Sequence, residues 1–332
     1  MGTLNKLRIG LTGSTGFIGA ALASELPRRH CDVKVLLRHS SAVIPGCSTA
    51  VIGDLRNLVN LDSALEGLDA IVHTAAITSA KVGISEAELF AINTRGTMEL
   101  AAAAKKAGVR RFVFFSSISA QSGPTAKSVL VEGLAPEPVN AYGRSKLAAE
   151  QGLANLGLDF VSLRPVSVYG LEPKGKMNTL LQMARLPLPL PFSGLPSRRS
   201  ICFLDNLIAA VQHVLSYPAP LSRAFIVADP DALSLAEIVT ALRRGLRRKP
   251  NLFSVPQPVL QLLASLSGRR HDYERFALAS LVASPDALLA SGWKPCVRTE
   301  DWMAALAANA TRRIDEYRKP LALPPQLLNR LL

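Results

Sequence analysis

The chain is short of several things at once, and each shortage removes a class of protein. Its four cysteines, Cys31, Cys47, Cys202 and Cys296, are far apart and form no CxxC pair. Neither a metal site nor a redox dithiol is therefore expected, and all four should be reduced thiols. No apolar run approaches the length of a membrane-spanning helix. Met1 to Lys6 runs straight into a strand-like segment, without room for a signal peptide's apolar core. A cytoplasmic location without membrane insertion is the expectation. Acidic residues are also scarce, 25 against 38 lysines and arginines, which leaves a net charge of +13. Such a surplus attracts polyanions, whether nucleic acid, anionic lipid or a diphosphate substrate, but the basic residues are scattered. The densest cluster, Arg243, Arg244, Arg247, Arg248 and Lys249, reads as a solvated helix end, and no nucleic acid is expected as a partner.

What remains is globular. With 48% hydrophobic and 19% charged residues in 332, the chain has material for about two domains. Short β-branched runs alternate with Ala- and Leu-rich stretches over the first half. The expected strands are Leu7 to Thr12, Val33 to Leu37, Ala70 to Thr74, Phe112 to Ser116 and Phe160 to Arg164, with a helix over Thr97 to Ala107. Nearly continuous apolar strands between helices predict a parallel sheet wound on both faces. Beyond Pro165 prolines break the pattern into short pieces, and Ala304 to Ala310 reads as a late helix. This predicts an α/β fold: a doubly wound parallel sheet in residues 1–165, to which later segments return, and a smaller substrate domain mainly in 166–332.

The first strand ends in Thr12-Gly13-Ser14-Thr15-Gly16-Phe17-Ile18-Gly19. Gly13 permits the tight turn, Gly16 lets the backbone approach a pyrophosphate, and Gly19 lets the following helix pack closely, its N-terminus facing the phosphates. A dinucleotide is the implied ligand. The second strand ends Leu37-Arg38, where an NAD reader needs a carboxylate for the ribose 2′-hydroxyl. Leu37 supplies none, and Arg38 suits a 2′-phosphate, which favours NADP(H) over NAD(H), although an arginine also stacks on adenine. Asp54 follows the next strand, either to accept from the adenine amino group or to cap a turn; Leu55 adjoins it.

Tyr142-Gly143-Arg144-Ser145-Lys146 places a phenol and an ammonium four residues apart on one helix face. Lys146 is expected to lower the Tyr142 pKa and make it a proton donor and acceptor. Ser116-Ser117 closes a strand 25 residues before the tyrosine.

With these motifs, the chain resembles the extended short-chain dehydrogenase/reductase superfamily over nearly its whole length. The Gly13 to Gly19 loop is similar to that family's TGxxGxxG loop, and His73-Thr74-Ala75-Ala76 to its segment beneath the cofactor. Ser117, Tyr142 and Lys146 resemble its Ser-Tyr-Lys triad, and Asn93 its active-site asparagine. The resemblance implies a Rossmann domain in which Tyr142 is the acid/base. Ser117 would hold the reacting oxygen, Lys146 would bind the nicotinamide ribose and Asn93 would complete a proton relay through water. Ser116 or Ser119 stays open as a substitute for Ser117, because the following segment is one residue longer than the family pattern.

Leu163 to Gly170 resembles the RPxxVYG segment that borders nicotinamide and substrate, which adds Pro165 and Val168 to the site. Lys174-Gly175-Lys176 and Arg198-Arg199-Ser200 are similar to the nucleotide-sugar branch. There Arg198 and Arg199 would grip a pyrophosphate, with Arg275 as a second clamp or a surface ion pair, and Lys174, Lys176, Ser117, Ser119 and Tyr142 would face the sugar. The residues after Ser117, Ile118-Ser119-Ala120, include no acid, which disfavours a dehydratase or decarboxylase. Two reactions at sugar C4 remain, reduction of a 4-keto UDP-sugar, favoured by Arg38, and 4-epimerisation with tightly held NAD. The resemblance points to surface-polysaccharide precursor synthesis. It also implies a homodimer formed through helices at Thr94 to Lys106 and Tyr142 to Leu153, unless their alanines serve ordinary packing on the sheet. A hydroxysteroid or flavonoid-ketone reductase and a non-catalytic Rossmann partner protein are further alternatives.

Overall fold

The structure is a computed structural model that describes residues 6–40, 44–78, 83–170, 172, 175–266, 268 and 270–318. Seven strands form one parallel sheet: β1 (Leu7–Thr12), β2 (Cys31–Leu37), β3 (Cys47–Val51), β4 (Ala70–His73), β5 (Arg111–Phe115), β6 (Phe160–Pro165) and β7 (Arg223–Val227). Their order is β3-β2-β1-β4-β5-β6-β7, and every neighbouring pair is parallel. The chain thus steps outward in one direction from β1, then returns to β1's other side. The crevice beyond the carboxyl ends of β1 and β4, where that reversal occurs, is where such sheets hold ligands.

β4, β5 and β6 are buried along their whole length, as strands covered on both faces must be. On one face α1 (Phe17–Arg28) brings Leu22 and Leu26 against Ile9, Leu11, Val33 and Val35. On the other, α2 (Thr97–Lys106) and α3 (Ala141–Asn155) bring Leu100, Ala104, Ala149 and Leu153 against Ile71, Phe112 and Phe114. Ala101, Ala104 and Ala149 are thus spent inside their own chain, the packing alternative for these alanines.

A second core lies beyond the sheet. The helices α4 (Gly175–Arg185), α5 (Leu204–Ser216), α6 (Leu235–Gly245), α7 (Gln257–Leu266) and α8 (Thr299–Arg318) follow in order. Leu181, Ile238, Val239, Leu242, Met303 and Leu306 join α4, α6 and α8 in one apolar cluster. Ser234 and Glu237 close a capping box at the start of α6, and a Cβ on Gly245 would lie 1.9 Å from the Ala304 carbonyl oxygen. Only glycine permits that crossing of α6 and α8.

The five expected strands occur, shifted by at most two residues at an end, and two more join them. β3 is an edge strand with no buried residue, so no apolar pattern marks it. β7 comes from the second half of the sequence and pairs with β6 across a long connection. The basic cluster also needs a correction. Arg243 is not at a solvated helix end but 2% exposed, donating to the carbonyls of Leu186, Leu188, Pro250 and Asn251. Four carbonyl acceptors from two loops compensate burial of a guanidinium.

Candidate active site

The glycine loop turns where β1 ends. Gly13 has φ +76°, and a Cβ there would lie 2.4 Å from Thr74 Oγ1 and 2.6 Å from the Ala75 nitrogen. A Cβ on Gly19 would lie 2.1 Å from the Gly13 carbonyl oxygen. The loop is thus pressed between α1 and the end of β4, as the spacing predicts. Gly16 begins α1 with extended backbone, no side-chain cap and no acid in the first turn, so the helix N-terminus keeps its donors for an anion.

Beside this loop lies a cavity of ≈ 710 Å³, within the range of cofactor pockets. Of the expected cofactor residues, Gly13, Ser14, Thr15, Gly16, Arg38, Asp54, Leu55, Thr74, Ala75 and Ala76 line it. Phe17, Ile18 and Gly19 form the first turn of α1 behind it, and neither Pro165, buried at the end of β6, nor Val168 is among its lining. The loop, the bare helix end and the cavity together fit a dinucleotide.

At the far end, Asp54 takes Arg56 Nε at 2.9 Å and stands 3.6 Å from Arg38 Nη1. The hydrogen bond from Arg56 is the main cause that draws its carboxyl down to about 2. Arg56 escaped the sequence reading; its only mark was a place two residues after Asp54 in the same turn. Arg38 remains largely exposed, with 64% of its side chain accessible, free to leave this weak contact for a phosphate.

Under the loop runs a chain of hydrogen bonds. Thr97 Oγ1 donates to the Asn93 carbonyl at 2.8 Å and therefore accepts from His73 Nε2 at 3.0 Å; His73 Nδ1 then accepts from Thr12 Oγ1 at 2.7 Å. That network assigns the tautomer. Burial, aided by the charge of Lys146, lowers the His73 pKa to about 3, so the imidazole is neutral. Asn93 sits in a π-turn, Ala91–Gly96, and both hydrogens of its side-chain amide are bound, to the Ile77 carbonyl at 2.9 Å and to Ser145 Oγ at 3.1 Å. Its side-chain oxygen accepts from the Ile77 nitrogen. This amide clamps the 74–77 loop to α3.

The phenol and serine meet at the end of β5. Asn140 caps α3 by accepting from the Gly143 nitrogen, and a Cβ on Gly143 would lie 2.1 Å from the Ser119 carbonyl oxygen. This contact seats the first turn of α3 on the 118–120 turn. Ser117 stands close enough to Tyr142 to stabilise its phenolate, whereas Ser116 Oγ is buried without a partner and Ser119 donates its backbone N–H to Ser117. Of the three serines, Ser117 is the one whose hydroxyl acts on the tyrosine.

Lys146 is 1% exposed, with Nζ 2.6 Å from the Phe115 carbonyl oxygen and 4.5 Å from the centre of the Phe114 ring. Burial brings its pKa down to about 7 against the opposing charge of Glu150. Glu150, one turn further along α3, is bound by Arg164 of β6, which also reaches Gln121. The expected lowering of the Tyr142 pKa by Lys146 is corrected. Burial raises the phenol, and Ser117 draws it only partway back, because the ammonium is held on Phe115.

Of the expected substrate residues, Arg198 and Arg199 are engaged by the protein itself. Arg198 binds the Ala232 carbonyl at 2.7 Å and Glu237 at 3.0 Å. Arg199 binds the carbonyls of Pro124 and Ala279. To meet a pyrophosphate, Arg198 must leave Glu237, and Arg199 serves to hold three segments together. Lys176 is exposed in the first turn of α4. Lys174 and the side chain of Arg275 lie outside the described residues.

Comparison with known proteins agrees with this architecture. Residues 9–228 match the NAD dependent epimerase/dehydratase family, and the chain belongs to it. It is therefore an NAD-dependent enzyme of the extended short-chain dehydrogenase/reductase fold. A UDP-glucose 4-epimerase of Vibrio cholerae is 30% identical over 298 residues, covering 86% of this chain and 90% of its own. An Escherichia coli O157:H7 relative, N-acetyl-alpha-D-glucosaminyl-diphospho-ditrans,octacis-undecaprenol 4-epimerase, is 26% identical over 79% of this chain and 81% of its own. Among solved structures, the Bordetella bronchiseptica enzyme WbmG in complex with NAD superposes with TM-score 0.72 at 21% identity, over 92% of this chain and 94% of that one. Among the described residues, no helix is long and apolar enough to cross a membrane.

Proposed function

We propose that the protein transfers hydride at C4 of a UDP-activated hexose, and that it works as a 4-keto-sugar reductase in the synthesis of a surface-polysaccharide precursor. The observation that carries the site is Lys146, buried one turn below the Tyr142 phenol and held on the Phe115 carbonyl, on a helix seated against the turn that follows Ser117. A nicotinamide dinucleotide bound along the glycine loop supplies the hydride. Tyr142 gives its phenolic proton to the carbonyl oxygen as that oxygen becomes a hydroxyl, and Ser117 donates a hydrogen bond to the same oxygen. Lys146 contributes positive charge beneath the tyrosine and a donor for the ribose. Arg38, open to solvent where an NAD reader has a carboxylate, supports NADPH as the donor.

A second reading, 4-epimerisation with bound NAD, is favoured by the names of the two relatives. One experiment separates them. The purified protein is denatured and any released nucleotide identified, and the native protein is then titrated with NADPH and NADH and offered a 4-keto UDP-sugar or a UDP-hexose. Nucleotide-free protein that prefers NADPH and consumes it only with the keto sugar supports the reductase. Stoichiometric NAD and interconversion of UDP-hexoses without added cofactor support the epimerase. Turnover of neither sugar class would remove both. Four free cysteines suit the cytoplasm, and a homodimer is proposed through the outward faces of α2 and α3, opposite their buried alanines.

A further inference from the structure

From Ile238 to His271 the sequence contains no aspartate or glutamate but seven arginines and lysines. Arg243 is buried, Arg244 is bonded to Asp301 and Arg270 to Glu274. Arg247, Arg248 and Lys249 are exposed and paired to no carboxylate among the described residues. The same stretch carries apolar side chains turned to water. Val259, Leu262 and Leu266, at i, i+3 and i+7 on α7, are 45%, 60% and 77% exposed, one unburied stripe of a helix. Phe253 and, from the adjoining loop, Leu186 and Leu188 are exposed too. Leu186, Leu188 and Phe253 lie together because the Arg243 guanidinium ties the 186–188 carbonyls to those of 250 and 251, and Leu190 pairs with Phe253; α7 follows Phe253 after three residues.

We infer that this face docks on an anionic lipid surface, with the α7 stripe seated among the acyl chains and Arg247, Arg248 and Lys249 against the headgroup phosphates. An apolar stripe flanked by unpaired cations is the pattern of interfacial helices, and each such cation adds attraction to an anionic leaflet. A second copy of the chain fits less well. A twofold contact places the same patch opposite itself, which would bring the two basic clusters together with no acid between them. α7 has ten residues, so the attachment is peripheral and does not span. The inference is independent of which C4 reaction the enzyme performs.

The test is flotation of the purified full chain with vesicles of phosphatidylcholine alone or mixed with phosphatidylglycerol. Partitioning onto the anionic vesicles at least tenfold above the neutral ones, weakening with added salt, is the expected result. Arg247→Ala/Arg248→Ala/Lys249→Ala should reduce it about 100-fold, and Leu262→Glu/Leu266→Glu at least tenfold, both variants keeping the wild-type thermal midpoint and cofactor affinity. Equal partitioning onto both vesicle types overturns the inference. So does wild-type partitioning by both variants, or a leucine variant that only converts a dimer to a monomer.

Discussion

Replacing Lys146 by methionine tests the buried ammonium that the site is built around. In the folded protein without ligand its pKa falls from the ordinary 10.5 to about 7, while the unfolded chain keeps the ordinary value. Between those limits the unfolded state binds more protons, so the lysine's contribution to stability rises with pH. It is fully present only above the unfolded pKa and is lost as pH falls towards about 7. Integrated from pH 7 to pH 9.5, the gain is about 3 kcal/mol. Other buried groups act in the opposite sense: the thiol of Cys202 and the phenol of Tyr142 are raised by burial, and their contributions fall as pH climbs. Both proteins share those groups, so the difference between them isolates the lysine. The assay is urea unfolding of the ligand-free protein at several pH values in that range. Methionine also leaves the Phe115 carbonyl without its donor, a cost that does not vary with pH. The wild type should therefore gain on the variant by about 3 kcal/mol as pH rises over this window. Parallel stability curves would refute the reasoning, because they would show that Lys146 titrates alike in the folded and unfolded chain.

Three further outcomes are expected. Arg38→Ala should weaken NADPH by about 2 kcal/mol, roughly 30-fold, through loss of a charge-assisted contact, and NADH by much less; fluorescence titration at one ionic strength measures both, and equal losses would end the NADP(H) preference. Tyr142→Phe should slow turnover roughly 100- to 10,000-fold while leaving cofactor affinity nearly unchanged, and full activity would displace the tyrosine from its role. Gly19→Ala, whose Cβ would meet the Gly13 carbonyl oxygen at 2.1 Å, should cost about 3 kcal/mol or more and remove dinucleotide binding; a variant with an unchanged thermal midpoint and normal titration would contradict the close packing of α1 on the loop.

The division between what the sequence could tell and what it could not follows the range of the interactions involved. Local rules sufficed for the Gly13 to Gly19 loop, since its steric demands arise within one strand, turn and helix. They also sufficed for five strands, whose burial on both faces writes itself as continuous apolar runs, and for Tyr142 and Lys146, which share a face by helix geometry alone. Long-range placement escaped them. β3 has no buried face to announce it, and β7 joins the sheet only because β6 offers an edge some 60 residues earlier. Arg56, Glu150 and Arg243 look like ordinary surface charges in the sequence. Asp54, Arg164 and four carbonyls give them their actual places.

The pKa values show the same limit. By itself the sequence determined the fold class, the dinucleotide loop and the placing of a phenol and an ammonium on one helix face, because spacing and side-chain chemistry define those. Only the tertiary structure decided that the Asn93 amide clamps a loop to α3, and that Arg198 and Arg199 are engaged by the protein itself. It alone also set the charge state of the site. Desolvation depends on everything packed around a group, and no spacing along the chain records that burial raises Tyr142 and lowers Lys146 and His73.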